Sequence, residues 1–299
     1  MQVTDITDIR QSEAWSRYLK MYGWESRQLS CGGILRLTRF LLFSVARIHR
    51  APCLTLNDLK EVDIICKTNR VLYIKISPSI SQDLTNLEKF GYRRKGGIDL
   101  PPRTAFIDLR LDEASLWKNL TKDCRYSIKK SYGDNNRVEI IQNPDDAMVE
   151  KYYRVLNERS QRIRFYNPSL CDHLEKIKCF NKESFVSFVC NATGEVLGTK
   201  MFLGFNGCVW YMYSGLTKLG EKSCGNYQLM WECIKYFRNI GYRAVDMEGL
   251  ADDRLKNQTK KWRNYSHYKM QFGGKIVDFP LPYTKYATIF QLTNLINWI

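Results

Sequence analysis

CGNYQLMWECIKYFRNIGYRAVDMEG, residues 224–249, is the stretch whose reading decides the fold of this chain. Behind Gly225-Asn226, the residues Met230, Cys233, Ile234, Phe237 and Ile240 recur at helical spacing, and Gly241 is placed to stop the run. The pattern predicts an amphipathic helix over 224–240, then a short strand over 244–247 ending in Asp246-Met247-Glu248-Gly249. Upstream lie three apolar runs, 184–190, 196–205 and 208–214, joined by Asn191-Ala192-Thr193-Gly194-Glu195 and by Asn206-Gly207. Asn and Gly both tolerate positive φ, so the second joint predicts a tight hairpin. The order is therefore an antiparallel meander, a helix whose N-terminus opens beside the sheet, and one further strand.

That layout is the one found in GNAT-type acyltransferases, and the residues narrow it further. Asn226-Tyr227-Gln228-Leu229-Met230-Trp231, the Gly241-Tyr242…Asp246…Gly249 strand end, and Tyr268-Lys269-Met270-Gln271-Phe272-Gly273-Gly274 follow one another. Ile107-Asp108-Leu109 with the basic run 121–131 lies ahead of them, and Gln11-Ser12-Glu13-Ala14-Trp15 forms an opening helix. Taken in this order, the motifs resemble the FemABX peptidyltransferases over most of the chain. Three positions depart from the family pattern: Tyr268 stands where Phe is usual, Met270 where a second basic residue is common, and Glu248 before its Gly.

The resemblance implies an α+β fold of two GNAT-like subdomains, each a mostly antiparallel sheet flanked by helices. It implies transfer of an amino acid from aminoacyl-tRNA to a side-chain amine of a peptidoglycan stem peptide, without acetyl-CoA or metal. The partners implied are aminoacyl-tRNA and a peptidoglycan precursor, nucleotide-linked or lipid-linked, the latter with peripheral contact at the inner membrane face. No cofactor is expected. Some members insert a coiled-coil arm, but no sustained heptad run lies between Asn143 and Phe272, so none is expected here. The first subdomain is placed at 1–138 and the second at 139–281, with the tail 282–299 returning to the first.

Composition points the same way. A chain of 299 residues with 44% apolar side chains suits two domains of ordinary size. A formal net charge of +15 implies a polyanionic partner, because excess Lys and Arg concentrate phosphate-bearing ligands. Met1 to Asp8 carries two acids and no base, and no apolar run approaches a bilayer span, so a cytoplasmic protein is expected. The ten cysteines contain no C-x-x-C pair, which argues against zinc and leaves small core residues as their expected role. His49, His173 and His267 form no nucleophile pattern, and core or surface roles are expected for the first two.

A coarse reading of the first half gives a helix over 12–22, strands over 34–49, a helix over 58–67, a strand over 71–76 and a helix over 82–90. The second half opens with helices over 147–164 and 168–178, and a basic helical segment over 112–131 leads into it. In that segment Lys118, Lys122, Arg125 and Lys129 follow i, i+4, i+7, i+11, so a continuous helix would line them up as a phosphate-tracking stripe or a solvated face. A second cluster, Arg254, Lys256, Lys260, Lys261, Arg263 and Lys269, is free of acids and interleaved with Trp262, Tyr265 and Tyr268. Those rings could stack on an unpaired tRNA end, or the segment could be a flexible surface loop.

Lys269 carries the expected chemistry. Attack of an amine on an aminoacyl ester makes a tetrahedral oxyanion, and a nearby ammonium stabilises that charge more than the neutral carbonyl. The resemblance implies this role for the Lys of the motif; the alternative is a structural lysine at a strand end. No general base stands out among Asp108, Asp246 and Glu248, and a structural role is expected for Asp246. Proton transfer through the tRNA ribose hydroxyl or a substrate phosphate stays open. Period-two spacing puts Tyr211 and Tyr213 on one strand face, lining an acceptor site or packing the core. Gly225 and Asn226 at a helix start suit a phosphate.

Two rival functions remain. A GNAT enzyme using acyl-CoA would hold pyrophosphate at the same turn, yet the glycines of 218–225 are widely spread. A non-catalytic nucleic-acid-binding module would explain the charge but not the ordered motifs.

Overall fold

Ser12 starts the first helix, α1 (Glu13–Lys20), by accepting a hydrogen bond from the Trp15 amide at 3.0 Å. In the computed structural model, residues 6–95 and 97–287 are described. After α1 come β1 (Trp24–Gln28), β2 (Ile34–Phe40) and β3 (Phe43–His49), each antiparallel to its neighbour. A reciprocal capping box between Thr55 and Asp58 opens α2 (Leu56–Thr68), which crosses over to β4 (Val71–Ser77), parallel to β3. α3 (Leu84–Lys89) and the short β5 (Arg93–Arg94) complete this stretch. Alternation along β2, β3 and β4 sends Leu35, Leu37, Ala46, Ile48, Ile74 and Ile76 into one core with Leu59 and Val62 of α2.

The second unit, Arg103–Val277, is built on a seven-stranded sheet. Its elements are β6 (Arg103–Asp108), α4 (Glu113–Asn119), α5 (Lys122–Gly133), β7 (Arg137–Gln142), α6 (Asp146–Ile163) and α7 (Leu170–Phe180). The meander follows as β8 (Ser184–Cys190), β9 (Val196–Phe205) and β10 (Cys208–Leu216), then α8 (Lys218–Glu221), α9 (Gly225–Asn239) and β11 (Ala244–Asp246). α10 (Lys256–Thr259), α11 (Arg263–Met270) and β12 (Lys275–Asp278) close it, and the strands run in the order β12-β6-β11-β10-β9-β8-β7. β7 to β10 are antiparallel in turn, whereas β10 and β11 are parallel, because α9 carries the chain back over the sheet. At the β9–β10 hairpin Asn206 and Gly207 take φ of 47° and 76°, the left-handed geometry that Asn tolerates and that Gly, lacking a Cβ, adopts freely. Helices α5 and α9 cover one face, where Cys124, Ile128, Leu229, Cys233 and Phe237 pack on Phe185, Phe202 and Tyr211. α6 and α7 lie against the meander as well.

The last described strand, β13 (Tyr283–Tyr286), pairs antiparallel with β4 and β5, in the sheet of the N-terminal unit. Residues 288–299 of the expected returning tail lie outside the described residues. The chain divides after Pro102 rather than near 138. The reason is pairing: β6 is hydrogen-bonded to β11, with Asp108 opposite Ala244, and the Ser131 hydroxyl of α5 donates to the Gln228 side chain of α9 at 2.6 Å. The longest described helix, α6, has 18 residues, too short for a coiled-coil arm. No described helix is long and apolar enough to cross a membrane.

Candidate active site

Lys269 sits in the last turn of α11, not at a strand end, and the segment before it is helical rather than a loose loop. Several bonds fix this helix. The Ser266 hydroxyl accepts from the Ala251 amide at 2.8 Å, the Tyr268 hydroxyl donates to the Asn226 carbonyl at 2.9 Å, and the Gln271 amide group donates to the Tyr227 hydroxyl at 3.2 Å. The turn that follows needs its glycine: at Gly273 φ is +75°, and a Cβ there would lie 2.4 Å from the Asn119 carbonyl oxygen.

The half-buried Lys269 ammonium donates to the carbonyl of Glu248 and, at 3.2 Å, to that of Gly249. Both residues have positive φ, 49° and 36°, and this tight turn after β11 aims two successive carbonyls at one nitrogen. Asp246 secures the turn. Its Oδ1 accepts from the Glu248 amide at 2.7 Å and from the Thr104 hydroxyl of β6. The rings of Tyr211 and Tyr265 lie 5.3 and 5.0 Å from Lys269 Nζ. No described carboxylate stands at ion-pair distance. Burial lowers the ammonium to a pKa of about 8, opposed by the charges of Glu248 and Asp246.

A second lysine, which the sequence reading did not single out, completes the site. Lys200, in the middle of β9, is 0% exposed. Its Nζ donates to the Tyr211 hydroxyl at 3.1 Å, to the Ser214 hydroxyl at 3.4 Å and to the Asn226 side-chain oxygen. The Tyr211 and Tyr268 rings lie 5.0 and 5.2 Å away. Three N–H groups thus meet three neutral oxygens and no carboxylate. Burial, opposed by Cys233 and helped by the nearby charges of Lys269 and Arg159, brings its pKa down to about 7. The only sequence signal was a Lys inside the otherwise apolar run of β9, all of it buried from Leu197 to Gly204. A buried lysine without an acid is costly, and side chains so perturbed cluster at functional sites.

The structure separates two tyrosines that strand spacing places together. A bulge between Tyr211 and Tyr213 breaks the β9–β10 register, so Tyr211 opposes Phe202 and Tyr213 opposes Met201. Tyr211 stacks on Phe202 in the core under α9. Tyr213 instead accepts from Lys176 of α7 at 3.0 Å and meets the His173 ring at 4.7 Å. One extra residue has turned the pair to different neighbours. Tyr268 stays with Tyr211, its ring edge-on to Tyr227 at 5.1 Å and its face toward Lys200.

The basic stripe is broken as well. α4 ends at Asn119, and the Thr121 hydroxyl caps α5 by accepting from the Cys124 amide at 3.2 Å, so Lys118 belongs to a different helix from Lys122, Arg125 and Lys129. The Arg125 guanidinium folds back to the carbonyls of Lys118, at 3.2 Å, and Leu120, closing the end of α4. Lys129 is exposed. Trp262 is half-buried, with its ring 6.2 Å from that of Tyr265.

At the start of α9, the Gly225 amide donates to the Ser223 hydroxyl at 3.2 Å, so that N–H is already engaged. A Cβ at Gly225 would press on Leu197 and Val189 at 3.1 and 3.2 Å, which makes close packing the position's evident demand. Asn226 is the hinge of the site: its side chain receives Lys200 and its carbonyl receives Tyr268. Among the candidate bases, Asp108 is clasped by Arg110 at 2.7 Å, which holds it down at a pKa of about 2. His173 is buried among the rings of Tyr152, Tyr153 and Tyr213. In the N-terminal unit His49 is bound to Asp99 at 3.1 Å. No three or more described His, Cys, Asp or Glu side chains are grouped so as to hold a metal ion.

No protein-family model matches the sequence, and no curated protein matches it either. Solved structures do. The structure of FemX is similar with a TM-score of 0.82 at 14% identity, over 98% of this chain and 95% of that one. A domain provisionally described as the C-terminal domain of a lysylphosphatidylglycerol synthetase from Agrobacterium fabrum has a TM-score of 0.65 at 11% identity, over 97% and 92%. A tandem GNAT protein from the clavulanic acid biosynthesis pathway has 0.51 at 13% identity, over 86% and 79%. The fold is thus FemX-like: α+β, with two GNAT-like subdomains. At these identities the likeness concerns the fold alone.

Proposed function

We propose that this protein is an aminoacyltransferase that moves an amino acid from aminoacyl-tRNA to a side-chain amine of a peptidoglycan precursor. The observation that carries the reading is the Lys269 ammonium, held by two carbonyls and two aromatic rings with no described carboxylate at ion-pair distance. Such a cation interacts weakly with a neutral ester carbonyl and strongly with the oxyanion formed from it, which is the difference that lowers a barrier. The FemX-like fold supports the same assignment.

Lys200 supplies the proton path that the candidate carboxylates do not. In its neutral form it needs only to reverse one hydrogen bond, the Tyr211 hydroxyl then donating to Nζ. As the acceptor nitrogen bonds to the ester carbon it sheds a proton to the Tyr211 oxygen, and the tyrosine's own proton passes to Lys200. When the ester C–O bond breaks, the path runs backwards and delivers a proton to the departing ribose oxygen. Nothing is gained or lost over the cycle.

An acyl-CoA reading would need the amides at the start of α9, and the one at Gly225 is taken. The test is incubation of the purified protein with a pool of labelled aminoacyl-tRNAs and stem-peptide precursors, both nucleotide-linked and lipid-linked, read by mass spectrometry. A mass gain of one aminoacyl group on a precursor is expected. Acetyl transfer from acetyl-CoA, or tRNA binding with no product, would refute the assignment.

A further inference from the structure

The β2–β3 hairpin of the N-terminal unit ends in Arg39-Phe40-Leu41-Leu42-Phe43, and the three residues at its tip stand in water: Phe40 is 72% exposed, Leu41 88% and Leu42 55%. Leu41 takes a left-handed φ of 53°, and Phe40 faces Phe43 in the last paired register. Hairpin tips are ordinarily built from Gly, Asn and Asp, which suit that backbone and solvent alike. Three successive large apolar residues do neither. None of them belongs to the core of the unit, so folding does not require them.

Strand register brings more of the same to this end of the sheet. β1 runs antiparallel to β2 with Trp24 opposite Thr38, so the α1–β1 turn, with exposed Met21 and Tyr22, lies beside the tip. On the other side the Ser44 amide donates to the Arg70 carbonyl at 3.1 Å, which brings the α2–β4 turn next to the hairpin. Exposed Lys20, Arg39, Lys67 and Arg70 therefore lie in or next to the segments that flank the apolar tip. The acid in register with them, Glu25, is paired with Arg27 at 3.0 Å and lies 4.0 Å from Arg39.

We propose that this tip inserts into the interfacial layer of an anionic phospholipid bilayer, with the basic collar resting on the headgroup phosphates. Side chains this exposed, 55% to 88%, do not enclose a small ligand. A bilayer surface offers the two zones it presents, acyl chains for Phe40, Leu41 and Leu42 and negative charge for the collar. The chain's net charge of +15 has the complementary sign. This assignment names a partner for the N-terminal unit and does not depend on the transfer reaction.

Flotation of the full-length protein with phosphatidylglycerol–phosphatidylcholine vesicles, without tRNA or precursor, tests it, and its failure would leave the transferase reading intact. The bound fraction should fall at least about tenfold in the variant combining Phe40→Ser, Leu41→Ser and Leu42→Ser, and similarly on pure phosphatidylcholine. Thermal unfolding of that variant should match the parent, since the replaced side chains are solvated. Tryptophan fluorescence of Leu42→Trp should be quenched by brominated acyl chains beyond the parent's response. Equal flotation of the triple variant, or no added quenching, would overturn the proposal. So would a concentration-dependent dimer of the parent that the triple variant loses, since the tip would then bind a second copy of the chain.

Discussion

The ammonium groups of Lys200 and Lys269 share the ring of Tyr211, whose centroid lies 5.0 Å from the first and 5.3 Å from the second. Neither lysine has a carboxylate at ion-pair distance among the described residues, and the charge of Lys269 disfavours charge on Lys200. Burial is the larger cause, bringing Lys200 to a pKa of about 7 and Lys269 to about 8. Near neutral pH the pair can therefore hold one proton on Lys269 and leave Lys200 free to accept one.

Activity should follow a narrow bell in pH. The rate falls below about 7 as Lys200 gains a proton, and above about 8 as Lys269 loses one. Lys200→Met should lower the single-turnover rate by roughly 10²-fold and abolish the acid limb, with the KM for aminoacyl-tRNA nearly unchanged. Rapid-quench rates across pH would show an unchanged acid limb in the variant if Lys200 were only structural.

Stability should depend on Lys200 in a defined direction. Its folded-state pKa is depressed from 10.5 to about 7, so between these values the unfolded chain binds more protons than the folded one, and stability rises with pH. Removing Lys200 removes that rise. Urea unfolding at pH 7 and pH 9 should show the parent gaining on Lys200→Met by on the order of 2 kcal/mol over this interval.

Glu248 raises the Lys269 pKa through its charge while its backbone carbonyl receives the ammonium. Glu248→Gln keeps the carbonyl and loses the charge, so the alkaline limb of the rate profile should move to lower pH with the maximal rate little affected. A limb that stays in place would mean that the two charges do not communicate.

Arg125 and Lys129, neighbours on α5, should part company. Arg125→Ala removes a cap on the carbonyls of Lys118 and Leu120 and should cost about 1 kcal/mol of stability with little change in tRNA affinity. Lys129→Ala should leave stability alone and, if α5 tracks phosphates, reduce the salt slope of tRNA binding by about one. Denaturation and filter-binding curves read the two effects separately.

Much of the second unit was legible because its signals are local. Apolar runs, Asn206-Gly207 and the helical spacing behind Gly225 each specify an element without help from the rest of the chain. β1 was not legible: Trp-Glu-Ser-Arg-Gln alternates in nothing, since this edge strand buries no face fully. The domain boundary was hidden because β6 joins the second sheet through pairing with β11, a long-range contact that no local pattern announces. The bulge after Tyr211 is a single extra residue, invisible to a period-two reading yet sufficient to re-aim Tyr213. Lys269 stood out as a candidate through its motif. Lys200 could not be valued without knowing that β9 is covered on both sides, because a lone lysine in an apolar strand usually reaches water.

The most direct measurement is the single-turnover rate of aminoacyl transfer to a stem-peptide precursor, compared between the parent protein and Lys269→Met at pH 7.5 or thereabouts. Loss of the cation that we propose faces the oxyanion should slow transfer by roughly 10²- to 10³-fold while aminoacyl-tRNA still binds. A variant that transfers at nearly the parental rate would contradict the account at its centre.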